Sequence, residues 1–145
     1  MANANSRKIL AIVDRETVRM RAITPRTASK KPGPDKWCRR EVLGHLIDSA
    51  LNNHQRFVRA QLMDSLDIPG YAQNDWVRCQ GYAEEDWAAL IDLWAALNRH
   101  LAHVLDRVPA AALSTPVRIG TDAPTPLEEV IVDYLRHLEH HLGQI

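Results

Sequence analysis

The sequence predicts an all-α protein, a four-helix bundle, from three observations. Apolar residues recur at helical spacing through four long stretches. Segments rich in proline and glycine separate those stretches. Little β-branched alternation of the kind that builds strands lies between them, so four amphipathic helices are left to bury one another's apolar faces. The 145 residues fit one domain, residues 1–145, and can bury a core without covalent staples.

The first helix is expected from about Ser6 to Thr24. Ile9, Leu10, Ile12, Val13, Val18, Met20 and Ile23 form its apolar stripe, with Ser6 as N-cap and Pro25 as stop. Pro25 to Lys36 contains Pro32-Gly33-Pro34 and reads as a loop. The second helix is expected from Trp37-Cys38 to about Ser65, with Val42, Leu43, Leu46, Ile47, Ala50, Leu51, Phe57, Val58 and Leu62 at helical spacing. Glu41, three after Cys38, stands where a capping-box carboxylate belongs, although cysteine is a poor cap. Residues 69–83 read as a loop unusually rich in aromatics, with Tyr71, Trp76 and Tyr82, and such loops are often packed over a site. The third helix is expected from about Glu84 to Arg107, burying Trp87, Leu90, Ile91, Trp94, Leu97, Leu101, Val104 and Leu105. After an irregular stretch from Pro109 to Pro124, Thr125-Pro126-Leu127-Glu128 reads as a helix start. Thr125 would be the N-cap and Pro126 the first helical residue. The fourth helix then runs nearly to the C-terminus. Both long crossings exceed a tight turn, so the topology need not be up-down-up-down.

Formal net charge is zero, which suggests no polyanionic partner. Residues 1–60 carry thirteen Lys/Arg against five Asp/Glu, and residues 61–145 carry five against thirteen. Two halves that neutralise each other explain this more simply than a nucleic-acid or membrane surface does. Cys38 and Cys79 form no CxxC and no disulfide framework, which suits a reducing cytoplasm. The polar N-terminus from Met1 to Lys8 lacks a signal-peptide core, and no apolar run approaches a membrane span. The expectation is a cytoplasmic protein without nucleic-acid or membrane partners.

Three histidines carry the chemical reading. His137 and His141 are four residues apart, so they share a helix face about 6 Å apart along the axis. His45, from a facing helix, would complete a triad. Three protein ligands leave a coordination position open, as in a catalytic metal site. The ordinary readings are a hydrogen-bonded core histidine at 45 and a favourable helix-dipole interaction for the C-terminal pair. The face of His45 continues through Asp48, Ser49, Asn52 and Arg56, a polar row in an apolar helix. Buried polar groups need partners, so this row suggests a wet cavity or a metal site. Asp133, one turn before His137, could orient its ring. His54, His100, His103 and His140 read as surface or packing residues. There is no Gly-rich phosphate loop, and no nucleophile elbow surrounds Ser49.

Trp37 with Glu41-Val42-Leu43-Gly44-His45-Leu46-Ile47-Asp48, and the closing His137-x-x-His140-His141-x-Gly143-Gln144-Ile145, resemble the DinB/YfiT-like superfamily over essentially the whole chain. The resemblance implies a four-helix bundle of up-down-down-up topology. It implies a metal triad of His45, His137 and His141 holding a divalent ion, zinc or nickel most often, with manganese as an alternative. It further implies a homodimer.

Better-understood relatives transfer bacillithiol to electrophiles or use mycothiol in isomerising maleylpyruvate. The leading expectation is therefore metal-dependent transfer of a small-molecule thiol to an electrophilic substrate. Asp48 would orient a ligand or shuttle a proton, and Asn52 and Arg56 would hold polar or anionic parts. A hydrolase at the same triad, a non-enzymatic metal-binding or interaction bundle, and a plain structural bundle are the alternatives. A fourth position open beside a pocket favours an enzyme; one filled by a side chain favours the binding bundle.

Overall fold

The computed structural model describes residues 3–145. Met1 and Ala2, part of the polar N-terminal run read as lacking a signal core, lie outside the described residues. Four long helices make up the bundle: α1 (Ala4–Arg21), α3 (Arg39–Ala60), α5 (Trp87–Asp106) and α6 (Leu127–Leu142). Two short ones, α2 (Pro25–Ala28) and α4 (Gln73–Gln80), lie in the connections.

Hydrogen bonds at the helix ends fix the relative directions. Trp87 Nε1 donates to Met20 O, and Asn3 Nδ2 donates to Leu105 O, so α1 and α5 are antiparallel. Arg40 at the start of α3 donates to Glu85 O just before α5, so α3 and α5 run the same way. Arg39 donates to Ile145 O, which sets α6 antiparallel to α3. The topology is up-down-down-up. α5 packs against α1 and α3, while α6 closes the bundle against α3 and α1. The core between them holds Trp94, Phe57, Leu43, Leu46, Ile47, Leu90 and Leu101, all essentially inaccessible.

The helix boundaries differ from the sequence reading for local reasons. Asn3, not Ser6, caps α1: its Oδ1 accepts from Ser6 N at 2.8 Å. Pro25 does not merely stop α1 but opens α2, with Thr24 as N-cap. The second long helix ends at Ala60 rather than Ser65, because Leu66–Ile68 forms strand β1. Residues 73–80, read as loop, form α4, held down by the single buried residue Val77.

The crossing before α6 is not irregular. Strand β2 (Pro116–Ile119) pairs parallel with β1, and β3 (Thr125–Pro126) pairs antiparallel with β2. Thr125 therefore belongs to a strand opposite Val117, and Pro126 is the residue preceding α6. Carbonyls of the crossing replace a side-chain cap: Leu127 N donates to Thr115 O at 2.9 Å and Glu128 N to Leu113 O at 3.0 Å. The sheet matters because it walls one end of the space between α3 and α6.

Candidate metal centre

α3 turns a mixed face inward. Residues 42–50 are buried without a break, and His45 and Asp48 have no measurable exposure. α6 brings His137 and His141, both half-buried, against His45. One potential ligand atom from each lies within 4.8 Å of the others. His45 Nε2 and His137 Nε2 are 3.0 Å apart. The rings meet edge to face, with centroids 4.9 Å apart for His45–His137, 4.6 Å for His45–His141 and 4.4 Å for His137–His141. Trp37 also packs against His45, tilted and at 5.0 Å between centroids.

The outer nitrogens show how the rings are oriented. His141 Nδ1 donates to Gln144 Oε1 at 2.8 Å, which leaves the Nε2 lone pair directed away from that bond. Ser49 Oγ lies 3.5 Å from His137 Nδ1. His45 Nδ1 is buried without a hydrogen-bond partner among the described residues. Asp133, considered from the sequence as the residue orienting His137, instead accepts from Arg136 at 2.6 Å.

Burial sets the protonation states. Desolvation, followed by the neighbouring charges of His137 and His141, lowers the His45 pKa to about 3. Desolvation, then His141, His140 and Arg56, lowers that of His137 to about 4. Both rings are neutral near pH 7, the state in which imidazole ligates a metal. The donor set fits a divalent ion. Bonds of about 2.0–2.1 Å in a tetrahedron place ligand nitrogens about 3.3 Å apart, close to the His45–His137 spacing. No Cys, Asp or Glu joins the group among the described residues.

A cavity of about 290 Å³ opens beside His137. α3 contributes Ser49, Asn53 and Arg56 to its wall, α6 contributes Val130 and Tyr134, and the sheet contributes Val117 and Ile119. Tyr71 closes it from the segment before α4. A second cavity, about 380 Å³, meets His141 and is lined by Trp37, Val42, Gln73, Asn74 and Gln144.

The polar row on α3 is divided between two neighbours. Arg56 lines the first cavity, as do Ser49 and Asn53. Asp48 faces the other way: its carboxylate accepts from Tyr82 Oη at 2.7 Å and from Gln80 Nε2 at 2.9 Å. Burial raises its pKa, against the lowering effect of those two donors. Asn52 donates to Asp48 O at 2.9 Å and lines neither cavity. Asn53 was not singled out from the sequence, because it lies further round the helix from His45 than Asn52. Tyr71 carried a signal in its aromatic loop, but the loop did not say which ring faces inward. Trp76 packs at a tilt against Tyr71, with centroids 4.9 Å apart, and stays 38% exposed.

Known proteins place this geometry. The chain is 24% identical over 111 residues to BH0277 of Halalkalibacterium halodurans, a protein named for an inferred metal-dependent hydrolase activity. That match covers 77% of this chain, and the chain spans only 64% of the relative's length. The fold superposes on YfiT from Bacillus subtilis with a TM-score of 0.84 at 20% identity, covering 94% of this chain and 79% of that one. YfiT is described as an inferred metal-dependent hydrolase with an unusual four-helix bundle topology. A mycothiol-dependent maleylpyruvate isomerase superposes with a TM-score of 0.76 at 12% identity, covering 96% of this chain and 58% of that one. At such identities the superpositions establish the fold alone. A sequence model of the DinB superfamily matches residues 14–145, nearly the whole chain, and the protein belongs to that superfamily.

Proposed function

We propose that this protein is a divalent-metal-dependent enzyme that transfers a low-molecular-weight thiol to an electrophilic small molecule, with His45, His137 and His141 as the metal ligands. The observation that carries this reading is a pair of cavities flanking the triad, one meeting His137 and the other His141. A reaction of two organic reactants needs two approaches to one centre, whereas hydrolysis needs one besides a path for water.

A divalent ion held by the three imidazoles supplies Lewis acidity, which lowers the pKa of a thiol or a water. Three ligands, with no fourth side chain in the group among the described residues, leave room for a reactant, against a purely structural metal. An all-imidazole donor set suits zinc or nickel better than manganese, which favours oxygen. Ser49 and Gln144 orient His137 and His141 through their outer nitrogens. Arg56, Asn53 and Tyr71 hold the polar end of a substrate in the first cavity. Asp48 acts at a distance: it ties down Gln80 and Tyr82, and so positions α4, whose Gln73 and Asn74 line the second cavity, while Asn52 only braces the Asp48 carbonyl within α3. In the transfer the thiol gives up its proton to solvent water, sulfur bonds to the electrophilic carbon, and the leaving group departs into solvent with the electrons of the broken bond.

The test is a panel of thiols, including bacillithiol and mycothiol, with a chlorinated aromatic electrophile on metal-loaded protein. Conjugation with at least one thiol, lost in His141→Ala, is the expected result. The names of BH0277 and YfiT support a second reading, hydrolysis at the same triad. Inactivity with every thiol, together with cleavage of esters or amides by the same preparation, would replace transfer by hydrolysis.

A further inference from the structure

Arg56 is the one buried cation in the cavity beside His137, and it has almost nothing to bind. It is only 9% exposed. Among the described residues it forms no ion pair, and its one hydrogen bond runs from Nη1 to Asn53 Oδ1 at a long 3.4 Å. Its Nε is buried with no hydrogen-bond partner among the described residues. A guanidinium taken out of water keeps its charge and needs an anion to complete its hydrogen bonding. The other charged groups on this cavity do not meet that need. Asp133 is paired with Arg136, and Asp122 is exposed on the β2–β3 turn and makes no ion pair among the described residues. Asp48, on the same helix, is bound by Tyr82 and Gln80.

We infer that Arg56 is the anion-binding end of the cavity, and that the molecule accommodated there is a short-chain organic carboxylate. One guanidinium balances one negative charge and matches a carboxylate in a two-pronged geometry. Val117, Ile119 and Val130 offer the carbon chain an apolar wall, which a phosphate would not use. Arg56 follows Ser49 by seven residues, about 10 Å along α3, and helical side chains lean toward the N-terminus, here toward the histidines. Arg56 and His137 line the same cavity, so a carboxylate held by Arg56 lies in the space that reaches the triad. This inference rests on reading the cavity as the substrate site and names the substrate class for that reading.

The test uses the full chain as purified, with its metal content measured, and titrates pentanoate, pentanamide and inorganic phosphate by calorimetry. Wild type is expected to bind pentanoate in preference to both other probes. Arg56→Met is expected to weaken pentanoate about ten- to a hundredfold, the range of a charge-assisted pair, and to leave pentanamide unchanged. Arg56→Lys, which keeps the charge but loses the fork, is expected to fall between them. Arg56→Met is also expected to melt no lower than wild type, because it removes a buried charge that has no internal partner. A merely structural arginine would instead lower the melting temperature on replacement. Equal pentanoate affinity in wild type and Arg56→Met, or a preference for phosphate, would overturn the subsite and leave the thiol-transfer reading standing. Arg56-dependent pentanoate binding in protein that takes up no metal would keep the subsite and remove the metal-dependent reading.

Discussion

Gly44 precedes His45 by one residue, and replacing it with alanine is the sharpest perturbation of the scaffold around the triad. A Cβ built there would lie 2.2 Å from Cγ and Cδ2 of Tyr82, far inside van der Waals contact with the ring. The ring cannot give way cheaply, because Tyr82 is buried and its hydroxyl donates to Asp48 at 2.7 Å. Forcing a ring out of a packed site costs about 1–3 kcal/mol. Losing the buried hydrogen bond to a carboxylate costs a further ~1.5–3 kcal/mol. Against this, alanine in a helix interior is better than glycine by about 1 kcal/mol. The balance is a destabilisation of about 3 kcal/mol, which lowers Tm by roughly 6–12 °C for a chain of this length. Urea unfolding of wild type, Gly44→Ala, Tyr82→Ala and the double variant measures it. In the Tyr82→Ala background the clash is gone, and Gly44→Ala should be neutral or stabilising by up to about 1 kcal/mol. Gly44→Ala as stable as wild type in the Tyr82 background would refute the reasoning, since it would mean the ring is not seated on the glycine.

Three further outcomes are expected. His141→Ala should lose bound metal, measured by mass spectrometry on untagged protein after reconstitution with zinc, nickel or manganese, while wild type holds close to one ion per chain. Metal-free protein should lose stability as pH falls from about 6.5 towards 4 in urea-unfolding series. The folded pKa values of His45 and His137 lie below the ordinary value, so the unfolded chain binds more protons in that window and acid favours unfolding. Asp48, with its raised pKa, opposes the trend as one carboxyl group against two imidazoles; a flat profile across that window would contradict the burial argument. Asn98→Ala should destabilise by about 2 kcal/mol in the same assay, because Asn98 is fully buried and accepts the hydroxyl of Tyr134, which would be left unpaired.

The bundle was legible because its signal is redundant. Each long helix repeats its apolar stripe over four or more turns, so errors at Ser6 or Ser65 shift an end without losing an element. The sheet was illegible for the opposite reason. Strands of two to four residues carry too few alternations to show a period, and β1 and β2 lie about fifty residues apart in sequence. Missing that pairing also misassigned Thr125, whose position before Pro126 imitates a cap until its strand partner Val117 is known. α4 was missed because one buried residue, Val77, gives no stripe at all.

At the centre, helical spacing put His137 and His141 on one face, and the resemblance joined them to His45. Spacing did less well along α3, for a reason that can be worked through. At about 100° per residue, Asn52 and Arg56 fall within about 20° of His45, Ser49 at about 40°, Asn53 at about 80° on the same flank, and Asp48 at about 60° on the other. The polar face is therefore wide, and periodicity cannot say which neighbouring element takes which flank. In the folded chain α6 and the sheet take the flank of Ser49 and Asn53, and Tyr82 with α4 takes the flank of Asp48. Asn52, between them, bonds back to its own helix. The division depends on a close approach that only Gly44 permits, since a side chain there would keep Tyr82 from reaching Asp48. A glycine inside a strongly apolar helix, directly before a candidate ligand, was the local sign that something packs against the backbone on that side.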